Sequence, residues 1–456
     1  MITIYLDKQV FSHLFNAREE KYSLLREKIL SHKDEFIFFY SNAHLFDLQD
    51  DKTNIKYAEM DFMQTIVDGN RLIYEDAKQV VMKQSPRDAF MNIGKVGDIS
   101  WLENIDLSQI TEEQRKAINN IIDISMKDLK GELNFDWIIK RTPISTDELQ
   151  IDNSSFSAFV KFMFHNLYEE KEPYKIVRDN TIAKYNPTLI TSEDENVFNE
   201  QLASAPLGLS FIDMIKAILT QIGLSSSDSA TVYYMSYMLP DLLGVNKETR
   251  KKVKLKNMEA DCCHSFFGSY CVVSDDEGLR QKSKTLYKLF NFGTKVYSID
   301  DFIRKFDKAI NNNKKSAYEY FDEINKDYQA KQILKADTTQ EYIFTHLKIS
   351  CEYFGYFNCM FERKSKEETV IILHKSFDLK QPILTKEIEI IVNRIVRVFN
   401  EMGANFALFN EAIELPLLKA DNWNRILILN DADVCLTKFK DTPMLCLWIK
   451  PKKPIP

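Results

Sequence analysis

Glycine and proline are both scarce in this 456-residue chain, with 12 of each. That scarcity excludes collagen-like and low-complexity classes and leaves little glycine for loops that cradle phosphates. No Gly-rich dinucleotide fingerprint and no P-loop pattern occurs. Seven cysteines, an odd number without a single C-x-x-C pair, argue against a disulfide scaffold and against a ribbon-type zinc site. Free thiols in a reducing cytoplasm fit best. The opening MITIYLDKQV lacks a basic segment followed by an apolar core, and no apolar run approaches the ~18 residues that span a bilayer. A soluble, cytoplasmic protein without a membrane partner is therefore expected. Positive charge is also in deficit: the net charge is -7, which excludes a globally basic nucleic-acid binder. Binding of a polyanion would need a local basic groove or metal ions.

The chain does have hydrophobic residues, at 45%, enough for at least two buried cores. Ile2 to Leu6 is a short apolar run ended by Asp7, and the segment through Leu14, Leu25 and Ile29 has helical spacing. Phe36 to Tyr40 is a second continuous run, expected as a strand covered on both faces of a parallel sheet. Ser41 or Asn42 then suits the cap of a helix carrying His44 and Asp47. From about Tyr57 to about Lys256 the signals are mostly helical, including a capping-box spacing at Thr111 to Gln114 and periodic runs at Phe156 to Tyr168, Phe211 to Ile222 and Tyr233 to Leu243. A helix around Met258 to Phe267 precedes a strand at Tyr270 to Val273, and the segment Ser274-Asp275-Asp276 follows it. A helix through Leu279 and Leu286, a strand at Lys295 to Ser298 and a helix over Asp300 to Ile310 close this part.

Asn311 to Lys315 reads as a linker. Beyond it the spacing predicts an α+β unit, with strands near Phe354 to Phe361, Val370 to Leu373, Ile426 to Leu429 and Met444 to Ile449 around one long helix capped by Thr385. The fold class expected is α/β: a parallel-sheet core with helices on both faces in residues 1–56 and 257–312, a helical insertion over 57–256 and a C-terminal α+β domain over 313–456.

Isolated acids follow the apolar strands. Asp7 ends the first, Asp47 lies one to two helical turns past the second, and Asp276 follows the third within three residues. In a parallel open sheet the C-terminal strand ends share one edge, where ligand sites form. Asp261 and His264, spaced i, i+3, share one helix face before the third strand. Carboxylates gathered there repel one another unless divalent cations occupy the site, and oxygen ligands with few histidines favour Mg²⁺ or Mn²⁺ over zinc.

The opening IYLD, the segment YSNAHLFDL, the D-C-C-H helix and the closing CVVSDDEGL resemble the PIN-like domain superfamily of metal-dependent nucleases. The resemblance covers roughly residues 1–50 and 257–310. It places Asp7 as the first acid, Asp47 where the family usually has Glu, Asp261 as the third acid, and Ser274 and Asp276 as the terminal Ser-x-Asp. It implies hydrolysis of phosphodiester bonds, chiefly in RNA, with Mg²⁺ or Mn²⁺ held by Asp7, Asp47, Asp261 and Asp276. Ser274, His264 and Asp275 would stand behind these ligands or at the substrate. Family analogy adds the role of a regulated stress or phage-defence effector. The long insertion and the C-terminal unit depart from the minimal family pattern, and either offers a surface for a protein partner.

Other readings stay open. Asp7 and Asp276 suit helix N-caps, Asp261 and His264 a hydrogen-bonded pair, and His44 a structural role. Cys262 and Cys263 suit core positions and Asp61 an exposed one. The run Arg250, Lys251, Lys252, Lys254 and Lys256 suits either phosphate contacts or a solvated face. A non-catalytic interaction protein on a degenerate PIN-like core, and a nucleotide hydrolase using the same acids, are the competing functions.

Overall fold

The computed structural model describes residues 2–49, 51–76, 78–93, 175, 210–221, 225–242, 255–268, 271–375, 385–420, 422–429, 432–438 and 445–452. The fold is mixed α/β with two sheets. The first sheet has six strands in the order β4-β3-β2-β1-β5-β6. They are β1 (Thr3–Leu6), β2 (Ile37–Ser41), β3 (Asn70–Glu75), β4 (Lys78–Lys83), β5 (Cys271–Val273) and β6 (Lys295–Tyr297). All neighbouring pairs run parallel except β3 with β4, which form an antiparallel hairpin at one edge. Strand β1 is central: Tyr5 pairs with Phe39 on one side and Val272 on the other.

Alternation along the central strands sends side chains into two cores. Phe36, Phe38, Tyr40, Cys271 and Val273 join one cluster with residues of α1 (Lys8–Asn16), α2 (Glu20–Ser31), α4 (Ile55–Val67) and α10 (Ile299–Asn313). Tyr5, Ile37, Phe39 and Val272 face the other cluster, with α6 (Phe211–Gln221), α7 (Ser229–Leu242), α8 (Leu255–Phe266) and α9 (Glu277–Leu289). Burial on both faces explains why β1, β2 and β5 read as unbroken apolar runs. Two further helices, α3 (Asn42–Gln49) and α5 (Pro86–Asn92), follow β2 and β4.

Helix α10 leads into α11 (Ala317–Ala330), whose cap Ser316 and Glu319 form a capping box. The second sheet is antiparallel throughout, in the order β11-β12-β13-β10-β9-β8-β7. It comprises β7 (Ile333–Thr338), β8 (Ile343–Leu347), β9 (Cys359–Lys364), β10 (Thr369–His374), β11 (Asn424–Ile428), β12 (Ala432–Lys438) and β13 (Leu445–Pro451). The long helix α12 (Thr385–Glu401) packs Ile388, Ile391, Val392, Ile395 and Phe399 into the same cluster as Leu373, Leu436, Leu447 and Ile449 of this sheet. A shorter α13 (Glu411–Lys419) follows it. Arg394 of α12 joins the two sheet units, donating from Nη1 to Phe354 O at 2.5 Å and from Nη2 to Glu35 O at 3.3 Å.

Two sequence expectations change here. Residues 70–83 are strands of the first sheet, although they fall inside the segment read as a helical insertion. Tyr353 to Phe357 is a tight turn, with Phe354 and Gly355 at positive φ, and the strand starts only at Cys359. The expected capping box at Thr111 and the expected helix at Phe156 to Tyr168 lie outside the described residues.

Candidate functional site

The C-terminal ends of β1, β2 and β5 lie side by side, and the polar groups just beyond them meet around two buried histidines. Tyr5, the last but one residue of β1, is fully buried, yet its hydroxyl lies 2.6 Å from Ser41 Oγ and 3.0 Å from His264 Nδ1. His264, reaching in from α8, places its other ring nitrogen, Nε2, 3.0 Å from Asp47 Oδ2 on α3. His44 sits edge-on to His264, with ring centroids 4.8 Å apart. The Ser41 amide donates to His44 Nδ1 at 3.1 Å, so that nitrogen carries no proton, and Nε2–H donates to Leu6 O at 2.7 Å.

Asp7 lies next to this network and is 5% exposed. Its Oδ1 accepts from the Val10 amide at 2.9 Å as the N-cap of α1, and the nearby Ser274 hydroxyl favours the charged form of the same carboxyl group. Ser274 Oγ in turn accepts from the Asp276 amide at 3.0 Å. Asp276 caps α9, accepting from Leu279 N at 3.1 Å, while Asp275 accepts from Ile299 N at 2.9 Å and lies 3.8 Å from the Arg280 guanidinium.

Electrostatics fits this crowding. Burial lifts the Asp7 carboxyl above its ordinary range and Asp47 adds to the lift, while His264 and the Ser274 hydroxyl oppose it. For His264, burial disfavours the charged ring, but the hydrogen bond to Asp47 and the fields of Asp47, Asp7 and Asp261 outweigh it and raise the pKa. For His44, burial first and the neighbouring His264 next drive the pKa well down, and the backbone bonds to Leu6 and Ser41 oppose this only in part. Their surroundings thereby push the two rings in opposite directions, His264 toward the charged form and His44 toward the neutral one.

The sequence-predicted residues divide as follows. Asp47 bonds His264, Asp7 and Asp261 add their charge to it, and Ser274 stands by Asp7, whereas the Asp276 carboxylate is turned to Leu279 N. Both ring nitrogens of His264 serve Asp47 and Tyr5, so the hydrogen-bonded pair between His264 and Asp261 does not form. Asp7 and Asp276 cap helices, and His44 is tied to the backbone of Leu6 and Ser41. Cys262 is buried in the core. Asp61 is exposed and paired with Arg87 at 3.2 Å. Lys256 lies on α8, five residues before Asp261, whereas Arg250, Lys251, Lys252 and Lys254 fall outside the described residues.

Two polar groups of this edge escaped the sequence reading. Tyr5 looked like one more core aromatic, because its hydroxyl partners are 36 and 259 residues away. Glu59 of α4 is 4% exposed; it lies 3.4 Å from the ammonium of Lys8, the residue after Asp7, and accepts from Ser12 Oγ. Only its place on the inner face of an amphipathic helix could have singled it out.

The donor set, carboxylates with a hydroxyl behind them, suits Mg²⁺ or Mn²⁺ in kind. Its arrangement is open: among the described residues no three His, Cys, Asp or Glu side chains are placed to hold one ion. Asp47 is turned to His264, and Asp7 and Asp276 each direct one oxygen to a backbone amide. An ion would have to draw these carboxylates together. Compared with family models, characterised proteins and solved structures, the chain matches none.

Proposed function

We propose that the chain is a metal-dependent nuclease that hydrolyses phosphodiester bonds, with RNA as the preferred substrate and the edge around His264 as its active site. The observation that carries this reading is that Asp47 bonds His264 directly, while Asp7 at the end of β1 and Asp261 one turn before His264 on α8 add their charge to the same histidine and Asp276 follows the neighbouring strand β5, all at the C-terminal ends of parallel strands. Asp7, Asp47, Asp261 and Asp276 would hold a Mg²⁺ or Mn²⁺ ion once drawn together, and the ion would supply Lewis acidity toward a phosphate. The chain's own groups do the positioning. The N-cap bond to Val10 holds Asp7, the Ser274 hydroxyl nearby favours its charged form, and His264, anchored by Tyr5, aims the Asp47 carboxylate. Lys8, next to Asp7 and paired with Glu59, brings a positive charge to the same edge.

Cleavage of end-labelled RNA and DNA oligonucleotides with Mg²⁺ or Mn²⁺ tests the reading. Asp7→Asn and Asp276→Asn should each abolish cleavage, and an unchanged rate in both would reject the site. The second reading, a non-catalytic interaction protein, is favoured by one observation: the Asp47 carboxylate is already turned to a partner within the fold, His264 Nε2 at 3.0 Å, rather than left open to an ion.

A further inference from the structure

A cleft of about 470 Å³ opens between α10 and the segment joining β8 to β9. One wall is a stripe of α10 at helical spacing: Lys305, Lys308, Ala309 and Asn312, with Lys315 beyond the helix end. The opposite wall is Ile349 to Glu352, with Gly355 and Asn358, and Tyr297 stands at one end. That opposite wall is fixed in advance. Asp327 accepts from both the amide and the hydroxyl of Ser350, at 2.7 and 3.0 Å, and from the Tyr353 hydroxyl. Asn312 Nδ2 donates to Glu352 O at 3.1 Å, tying the two walls together.

The charges in the cleft are unbalanced. Lys315 is held by both oxygens of Glu323, at 2.6 and 2.7 Å, so these two cancel. Glu352 is then the one remaining acid of the lining, against Lys305 and Lys308. Both lysines are exposed, and among the described residues neither has an ion-pair or hydrogen-bond partner. Two free ammonium groups one helical turn apart fit a phosphate chain. The tyrosine ring of Tyr297 and the apolar Ile349 and Ala309 fit a planar body attached to it. The volume lies within the ~300–1,000 Å³ of small-ligand sites and would leave bare phosphate poorly enclosed.

We propose that this cleft binds a nucleotide, its phosphates on Lys305 and Lys308 and its base against Tyr297. The assignment is independent of the nuclease reading, because it uses neither the acids nor a metal. Calorimetric titration of the full chain with ADP in EDTA tests it, since chelation silences any cation site. Wild type should bind, and Lys305→Glu/Lys308→Glu should weaken binding about tenfold or more, as expected for losing two charge-assisted contacts. Arg304→Glu/Lys326→Glu makes the same charge change at exposed positions outside the cleft, and it should bind ADP like wild type. No binding at millimolar ADP, or equal weakening in both double variants, would overturn the site. Inorganic pyrophosphate binding as tightly as ADP would overturn the nucleotide assignment.

Discussion

His264 Nε2 lies 3.0 Å from Asp47 Oδ2, an ion pair that joins α8 to α3 across 217 positions of sequence. The histidine is 3% exposed and the Asp47 side chain 34%, so the pair has a dry end and a wet end. Its dry end is fastened by Tyr5, which makes the wet carboxylate a directed group rather than a free one. If Asp47 serves an ion, His264→Asn should lower activity about 10–100-fold, the usual cost of losing a residue that orients a ligand. Cleavage rates measured against Mn²⁺ concentration check this, with the loss appearing as weaker apparent metal affinity. A rate curve that overlays wild type would contradict it.

Tyr5→Phe removes one hydroxyl and leaves Ser41 Oγ and His264 Nδ1 each short of a buried partner. The expected cost is roughly 1–3 kcal/mol of unfolding free energy. Urea denaturation reads it, and no change in midpoint would mean that the hydroxyl is dispensable.

Arg394 is 7% exposed, and burial holds its guanidinium down to about 10. Its two donors serve the carbonyls of Phe354 and Glu35, one in each sheet unit. Arg394→Leu should cost roughly 1–3 kcal/mol by stripping both carbonyls of a donor. Arg394→Lys should recover part of this at most, because one ammonium does not reproduce the fork. Denaturation midpoints of the two variants give the comparison.

His346 and His374 both stack on Phe361, with centroids 4.5 and 4.9 Å away. Burial lowers the pKa of both rings, and for His374 the Lys375 carbonyl opposes the shift while His346 adds to it. The folded chain therefore binds fewer protons here than the unfolded chain does. Stability from these rings is complete above the unfolded histidine value of about 6.5 and falls as pH drops through it. Urea unfolding between about pH 7 and about pH 5 should show a smaller acid loss in His346→Gln/His374→Gln than in wild type. Identical slopes would refute the assignment.

The central strands were legible because burial on both faces writes them as unbroken apolar runs: Ile2 to Leu6, Phe36 to Tyr40 and Cys271 to Val273. The hairpin of β3 and β4 was not, since it lies at an edge and carries Arg71, Lys78 and Lys83 among its apolar residues. β7 was invisible for a related reason: every one of its residues is exposed, so no buried face imposes alternation. The acids Asp7, Asp47, Asp261 and Asp276 could be named because each follows or precedes a readable strand. Their orientation could not, because Tyr5, Ser41 and Glu59 act through partners fixed only by tertiary packing.

Titration of Mn²⁺ into the full chain, followed by electron paramagnetic resonance, is the most direct test of convergence on an ion. Wild type should show saturable binding that Asp7→Asn loses, while Asn at the same N-cap position keeps α1 and the fold intact. A wild-type chain that takes up no Mn²⁺ at millimolar concentration, or an Asp7→Asn variant that binds it equally well, would contradict the metal-dependent site.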